Sequence, residues 1–289
     1  MLISTNGVQL ATDMVGDGPA VLLVHGFPHT RALWSGITPD LARSFRVVAP
    51  DLRGLGGSTR AASGYDAENL ARDLLGLLDA LDIASVTVVA IDAGVPPAFV
   101  LGLRHPDRVR SLVLMESTLG TLPGAEGFFA AGPPWWFGFH QVPGLAETVL
   151  VGHEDEYLDF FYRAGTYDGR DLPREIRDTF VEGYTGQDAL RCGFEYYRAM
   201  PTTARQLEAL AGTARLRPPT LAIGAQPVGD ALARQLEPVA DDLRSELLER
   251  CGHIIPVDQP LALTRLLLEF LRGADPDAAR AAAQPPHRG

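Results

Sequence analysis

Apolar residues fall along the chain in two alternating rhythms. Short, β-branched runs at residues 20–24, 45–49, 86–91 and 111–115 read as strands. Between them, residues 30–44, 67–81 and 96–103 repeat their apolar positions at helical spacing. Strand and helix in alternation predict an α/β fold, a parallel sheet with helices on both faces. The rhythm breaks after Glu116: residues 117–218 turn aromatic and helical, with Pro-Pro-Trp-Trp at 133–136 and no run resembling a buried strand. Strand signals return at 220–224 and 243–248, with a helix expected over 230–240 between them and an amphipathic helix over 260–271 at the end. Residues 1–116 and 219–272 are therefore expected to form one core and 117–218 an insertion between two halves of its sheet. Residues 273–289, rich in Pro, Ala and Arg with no apolar period, are expected to be a disordered tail.

Composition narrows the partners. At 289 residues and 46% hydrophobic, the chain is long enough to bury a large core and a dry cavity. A formal net charge of −11 argues against nucleic acid or an anionic membrane surface, since both require clustered positive charge. All 25 basic residues are arginine, which removes lysine Schiff-base chemistry. Cys192 and Cys251 have neither metal nor redox spacing and read as two reduced thiols. The first residues lack the basic, apolar and cleavage regions of a signal peptide, and no apolar run is long enough to span a bilayer. The expectation is a soluble, cytoplasmic protein acting on a neutral small molecule; the oligomeric state is open, a homodimer among the options.

Chemistry concentrates where strands end. The run 86–91 passes at once into Asp92-Ala93-Gly94 and a helix. A nucleophile on such a strand-to-helix turn stands above the carboxyl edge of the sheet, and small neighbours keep the backbone clear of it. A serine there would need a base to deprotonate it, whereas the Asp92 carboxylate does not. It can attack a saturated carbon directly and form an ester, which points to opening an epoxide or displacing a halide. His25-Gly26-Phe27-Pro28 follows the strand at 20–24, and the backbone N–H groups of Phe27 and Ala93 form a candidate oxyanion hole for hydrolysis of that ester. His253, in Cys251-Gly252-His253 after the last strand, is the candidate base that activates water. Glu116, directly after the strand at 111–115, is the preferred acid to orient it. Asp230 is the alternative, several residues past its strand and equally able to cap the next helix.

With these residues in place, the sequence resembles the α/β-hydrolase family and, within it, the epoxide hydrolase and dehalogenase branch with an Asp nucleophile. The resemblance covers nearly the whole chain and is carried by His25-Gly26-Phe27-Pro28, the run 51–58 (DLRGLGGS), the Asp92 turn, His105-Pro106-Asp107-Arg108-Val109, Phe194-Glu195-Tyr196-Tyr197-Arg198-Ala199 and Cys251-Gly252-His253. It implies a helical cap over the nucleophile, formed by the insertion at 117–218. It also implies that the cap supplies donors to the leaving group: Tyr197 as the acid, and a partner from the Trp135-Trp136 pair, or His140 if the register differs. An indole N–H can polarise an oxygen but does not release its proton at neutral pH. Trp135, Phe137, His140 and Phe27 are expected to line the substrate pocket.

Two departures weigh on the reaction. The branch's haloalkane dehalogenases would place a halide-binding tryptophan at position 93, and its fluoroacetate dehalogenases would place arginines at 93 and 96; this chain has Ala93 and Pro96. The expected activity is therefore hydrolysis of a bulky or aromatic epoxide to a vicinal diol, with water as the second substrate and no metal or organic cofactor. An aromatic stretch at 128–139 fits a polycyclic natural product or a styrene-like epoxide. The rivals are a haloalkane or haloacid dehalogenase using the same ester on Asp92 and a catalytically silent ligand-binding protein.

Overall fold

A computed structural model describes residues 1–274 of the chain. It contains one eight-stranded sheet made of β1 (Leu2–Thr5), β2 (Val8–Val15), β3 (Ala20–Val24), β4 (Arg46–Pro50), β5 (Val86–Ile91), β6 (Val109–Met115), β7 (Thr220–Gly224) and β8 (Leu243–Leu247). The strand order is β1-β2-β4-β3-β5-β6-β7-β8, with β1 and β2 antiparallel to their neighbours and the rest parallel. Every residue of β3 and of β5 is buried. Because successive side chains of a strand point to opposite faces, both faces of the sheet centre must be covered.

The helices that cover it are α1 (Thr38–Leu41), α2 (Ala67–Ala80), α3 (Val95–Arg104), then α4 (Trp135–Gln141), α5 (Leu145–Leu150), α6 (Glu154–Gly165), α7 (Arg174–Tyr184) and α8 (Gln187–Ala211), and finally α9 (Ala231–Leu236), α10 (Ile255–Asp258) and α11 (Pro260–Ala274). Five of them, α4 to α8, lie between β6 and β7 with no strand among them. The core runs without interruption from the sheet into this insertion, joining Val88 and Leu114 to Phe180 and Phe194 in one apolar cluster. No described helix is long and apolar enough to cross a membrane.

Three local readings need correction. The helical segment expected over 30–44 is split into a 3-10 turn (Arg31–Trp34) and the single turn of α1. Pro39 lacks an N–H and sits in the first turn of α1, so it starts a helix rather than continuing one. The helix expected over 230–240 ends at Leu236: Glu237 still has helical geometry, but Pro238 has no N–H to donate back to the preceding turn. The β1–β2 hairpin was not expected at all, although Asn6 (φ 38°) and Gly7 (φ 78°) form the left-handed pair that an Asn-Gly hairpin turn uses. The tail expected over 273–289 lies outside the described residues except for Gly273 and Ala274, which close α11.

The hairpin is fastened to α2 by a buried ion pair. Arg53 places Nε and Nη2 each 2.7 Å from the Asp73 carboxylate, and Asn6 donates to the same carboxylate at 2.8 Å. The two charged side chains are only 7% and 1% exposed. Removing one partner strands the other in the core, so Asp73→Ala should lower the unfolding free energy by about 3–5 kcal/mol in urea titrations. Asp40→Ala, at the exposed pair with Arg43, should change it by less than about 1 kcal/mol.

Candidate active site

The register of two parallel strands builds the centre of the site. Ile91 on β5 pairs with Met115 on β6, so the next residues, Asp92 and Glu116, leave the sheet side by side at its carboxyl edge. Both adopt the left-handed backbone conformation, Asp92 at φ 52° and Glu116 at φ 43°, which turns each side chain up from the end of its strand. The Ser117 hydroxyl donates to the Asp92 carbonyl at 2.9 Å and links the two turns.

The Asp92 carboxylate is held on both sides. The Phe27 N–H donates to Oδ1 at 2.7 Å, and the Ala93 N–H also stabilises the charge. Gly26 makes this approach possible: a Cβ there would lie 2.6 Å from the Ala93 nitrogen. The loop is set by His25, whose Nδ1–H donates to the Gly26 carbonyl at 2.9 Å while Nε2 accepts from the Leu52 N–H at 3.1 Å. Burial lowers the His25 pKa, which suits this neutral clamp.

His253 stands between the two acids, Nδ1 at 3.2 Å from Glu116 Oε2 and Nε2 at 3.5 Å from Asp92 Oδ2. Glu116 is fully buried, and its other oxygen accepts from the Ala225 N–H at 2.6 Å. Burial works against charge on the His253 ring, but hydrogen bonds and attraction from Asp92 and Glu116 outweigh it and push the pKa up to about 10. Burial likewise opposes charge on Asp92, yet His253 and the two backbone N–H groups hold its pKa below the ordinary carboxylate value. At rest the centre is a carboxylate facing an imidazolium.

Above Asp92 lies a cavity of about 220 Å³, lined in part by residues of α4, α6 and α8. Phe27, Ala93, Trp136, Phe137 and Tyr197 all line it. Burial and the Asp92 charge keep the Tyr197 pKa well above its usual value, so its phenol is an intact O–H donor; the Trp136 indole opposes that shift by acting as a donor to the phenol oxygen. Met200, three residues on from Tyr197, and Thr203, three further, follow it along the cavity side of α8, Tyr196 borders the same cavity, and Phe161 of α6 adds an aromatic wall. These four were missed in the sequence, as was His29, another lining residue. The α8 spacing from Tyr197 was the signal available.

Three expected site residues fall elsewhere. Trp135 is 56% exposed and packs on Phe139 and Phe160 outside the cavity, because neighbours on a helix point about 100° apart and Trp136 takes the inward position. His140 is buried behind the wall, stacked 4.2 Å from Phe194, with its Nε2 2.6 Å from the Tyr157 hydroxyl. Burial lowers its pKa to about 3, so it supports the Tyr197 ring as a neutral side chain rather than meeting substrate. Asp230 is exposed and paired with Arg234 at 2.6 Å, and Glu116 alone of the two acids contacts His253.

Residues 19–255 match the model of the alpha/beta hydrolase fold. The chain belongs to that family. It is similar to the soluble epoxide hydrolase of Corynebacterium sp. (strain C12), 26% identical over 287 residues, covering 92% of this chain and 94% of that one. It is also similar to a fluoroacetate dehalogenase of Burkholderia sp, 29% identical over 187 residues, 61% of each chain. Among solved structures, Cfl2 of Burkholderia cenocepacia superposes with a TM-score of 0.85 at 32% identity, covering 94% and 95% of the two chains.

Within this α/β-hydrolase site the two acids make a testable electrostatic unit. Asp92→Asn removes one of the anions that keep His253 charged, so the ring's titration, followed by NMR, should move down from about 10; an unmoved titration would mean that the contact is not felt. The same shift contributes to the pH dependence of folding. A raised folded pKa gives stability that is complete below pH 6.5 and lost as the pH climbs through about 10, a loss that His253→Gln should not show.

Proposed function

We propose that this protein hydrolyses an epoxide to a vicinal diol through an ester on Asp92. The observation that carries the reading is the placement of an anionic carboxylate, not a serine, between paired N–H donors and a histidine, beneath a cavity with a protonated phenol. In the first step Asp92 Oδ2 attacks one epoxide carbon, the carbon–oxygen bond breaks, and Tyr197 transfers its proton to the departing oxygen. Trp136 steadies the phenolate that remains.

Esterification neutralises Asp92 and removes one of the two anions that held the proton on His253. The imidazolium proton can then return to Tyr197 through water in the cavity, which leaves His253 as a base and restores the phenol. His253 takes a proton from water as that water attacks the ester carbon. The oxyanion forms at Oδ1, already bonded to the Phe27 and Ala93 N–H groups; its collapse breaks the bond from the ester carbon to Oδ2, and the proton of the newly added hydroxyl passes to the departing alkoxide, which frees the diol and leaves Asp92 a carboxylate. The base is thus switched on by the step that creates its substrate.

The insertion acts in this scheme as a cap that excludes bulk water. A cavity of about 220 Å³ lies below the range of about 300–1,000 Å³ usual for drug-sized ligands, which favours an apolar epoxide carrying one ring over a polycyclic one. Displacement of a halide by the same carboxylate is the second reading, favoured by the Trp136 indole facing the cavity. On matched substrates, diol without halide supports the first reading and halide without diol the second.

Two variants test the steps separately. Tyr197→Phe keeps the cavity but loses the acid, so kcat/KM should fall by about 10²-fold or more. His253→Ala should still open styrene oxide once and then stall, gaining the mass of the epoxide on the peptide that contains Asp92. Sustained turnover by that variant with no added mass would overturn the ester mechanism.

A further inference from the structure

The backbone that carries His253 is gripped from the cap. On one side of it, the Gly252 N–H donates to Asp258 Oδ2 at 2.7 Å. On the other, the Ile254 N–H donates to the carbonyl of Gly165, the last residue of α6, at 2.9 Å. Asp258 is itself tied to the cap: the same Oδ2 accepts from the Tyr167 N–H at 2.7 Å, and Oδ1 accepts from Arg170 Nε at 3.0 Å. Arg170 also donates to the Asp258 carbonyl at 3.1 Å. The Asp258 side chain is fully buried, and the fit is so close that a Cβ on Gly252 would stand 2.5 Å from the Gly165 oxygen.

We propose that Asp258 and Arg170 form a clamp that positions His253, so that the base is aligned only while the cap segment 165–170 is seated. Both are positioning residues, since neither lines the cavity. The inference rests on the ester mechanism above and adds a division of labour to it. Epoxide opening needs Asp92 and Tyr197; hydrolysis of the ester needs His253 held against Glu116. Loosening the clamp therefore slows the second step and spares the first.

This has a kinetic signature that general destabilisation lacks. For an irreversible first step, kcat/KM contains only binding and epoxide opening, whereas kcat and KM both scale with ester hydrolysis once that limits turnover. Arg170, half-exposed and outside the cavity, is the residue to change. Full-length Arg170→Ala turning over styrene oxide should lose kcat and KM by the same factor, about tenfold. Its kcat/KM should stay within about twofold of wild type, with the Asp92 ester accumulating by quenched intact mass. Arg170→Lys, which keeps the charge but not the fork, should recover part of kcat. Unchanged kinetics, or a parallel fall of kcat and kcat/KM with no accumulated ester, would overturn the clamp. Absence of adduct in His253→Ala, where Arg170 is intact, would instead overturn the ester reading and the clamp with it.

Discussion

A side chain held in the left-handed backbone region at the end of a buried strand is the constraint on which the rest of the site depends. For a residue other than glycine that conformation costs about 1–3 kcal/mol, and it persists only where the surroundings leave no alternative. At Asp92 the surroundings do so. The preceding strand is buried along its whole length, the Ser117 hydroxyl fixes the Asp92 carbonyl, and the Phe27 N–H fixes its carboxylate. The neighbouring loop can come that close only because Gly26 has no Cβ. Glu116 repeats the turn one strand away, and the parallel register aligns the two. The paired acids therefore follow from sheet geometry, and His253 needs only to be delivered between them.

That arrangement sets the electrostatics. An imidazole buried between two carboxylates is the opposite of a free base: charge on the ring is favoured, and the pKa rises to about 10. A base that stays protonated would be useless for hydrolysis unless the reaction changed its surroundings. In the proposed mechanism, esterification of Asp92 makes that change, while Glu116 continues to hold and orient the ring through Nδ1. Tyr197 runs the other way, because burial and the Asp92 charge raise its pKa and keep its proton in place. Acid and base thus differ in environment more than in residue type.

The sequence disclosed the parts of the site that sit at strand ends. A buried apolar run ending in an acid is visible one residue at a time, which is why Asp92 and Glu116 could be singled out without coordinates, and the chain order made His253 a candidate. The cap was legible only as an aromatic, helical interruption after Glu116. Its inward face was not, because Trp135, Trp136, Phe137 and His140 are all bulky enough to pack either way, and the facing is decided by where α4 begins. The Asn6-Gly7 hairpin carried a usable turn signal, but the four residues of β1 have a single buried position and the far end of β2 is exposed, so periodicity alone was weak there. The Asp258–Arg170 contact was invisible for a different reason: its partners are 88 residues apart and neither belongs to a chemical motif.

In the proposed clamp, that long-range contact gives the inserted helices a role beyond lining a cavity. One end of the insertion, α8, carries Tyr197, the acid in the proposed mechanism, while the turn after α6 holds the peptide on either side of His253 through Asp258 and the Gly165 carbonyl. A cap that supplied only the acid could lift away after epoxide opening without slowing ester hydrolysis. A cap that also positions the base must remain seated until the ester is hydrolysed, so that water for the second step enters while bulk solvent stays out. In the proposed mechanism, linking both steps to one body makes release of the inserted helices compatible with product departure but not with the intermediate, where premature opening would leave Asp92 blocked by its own ester.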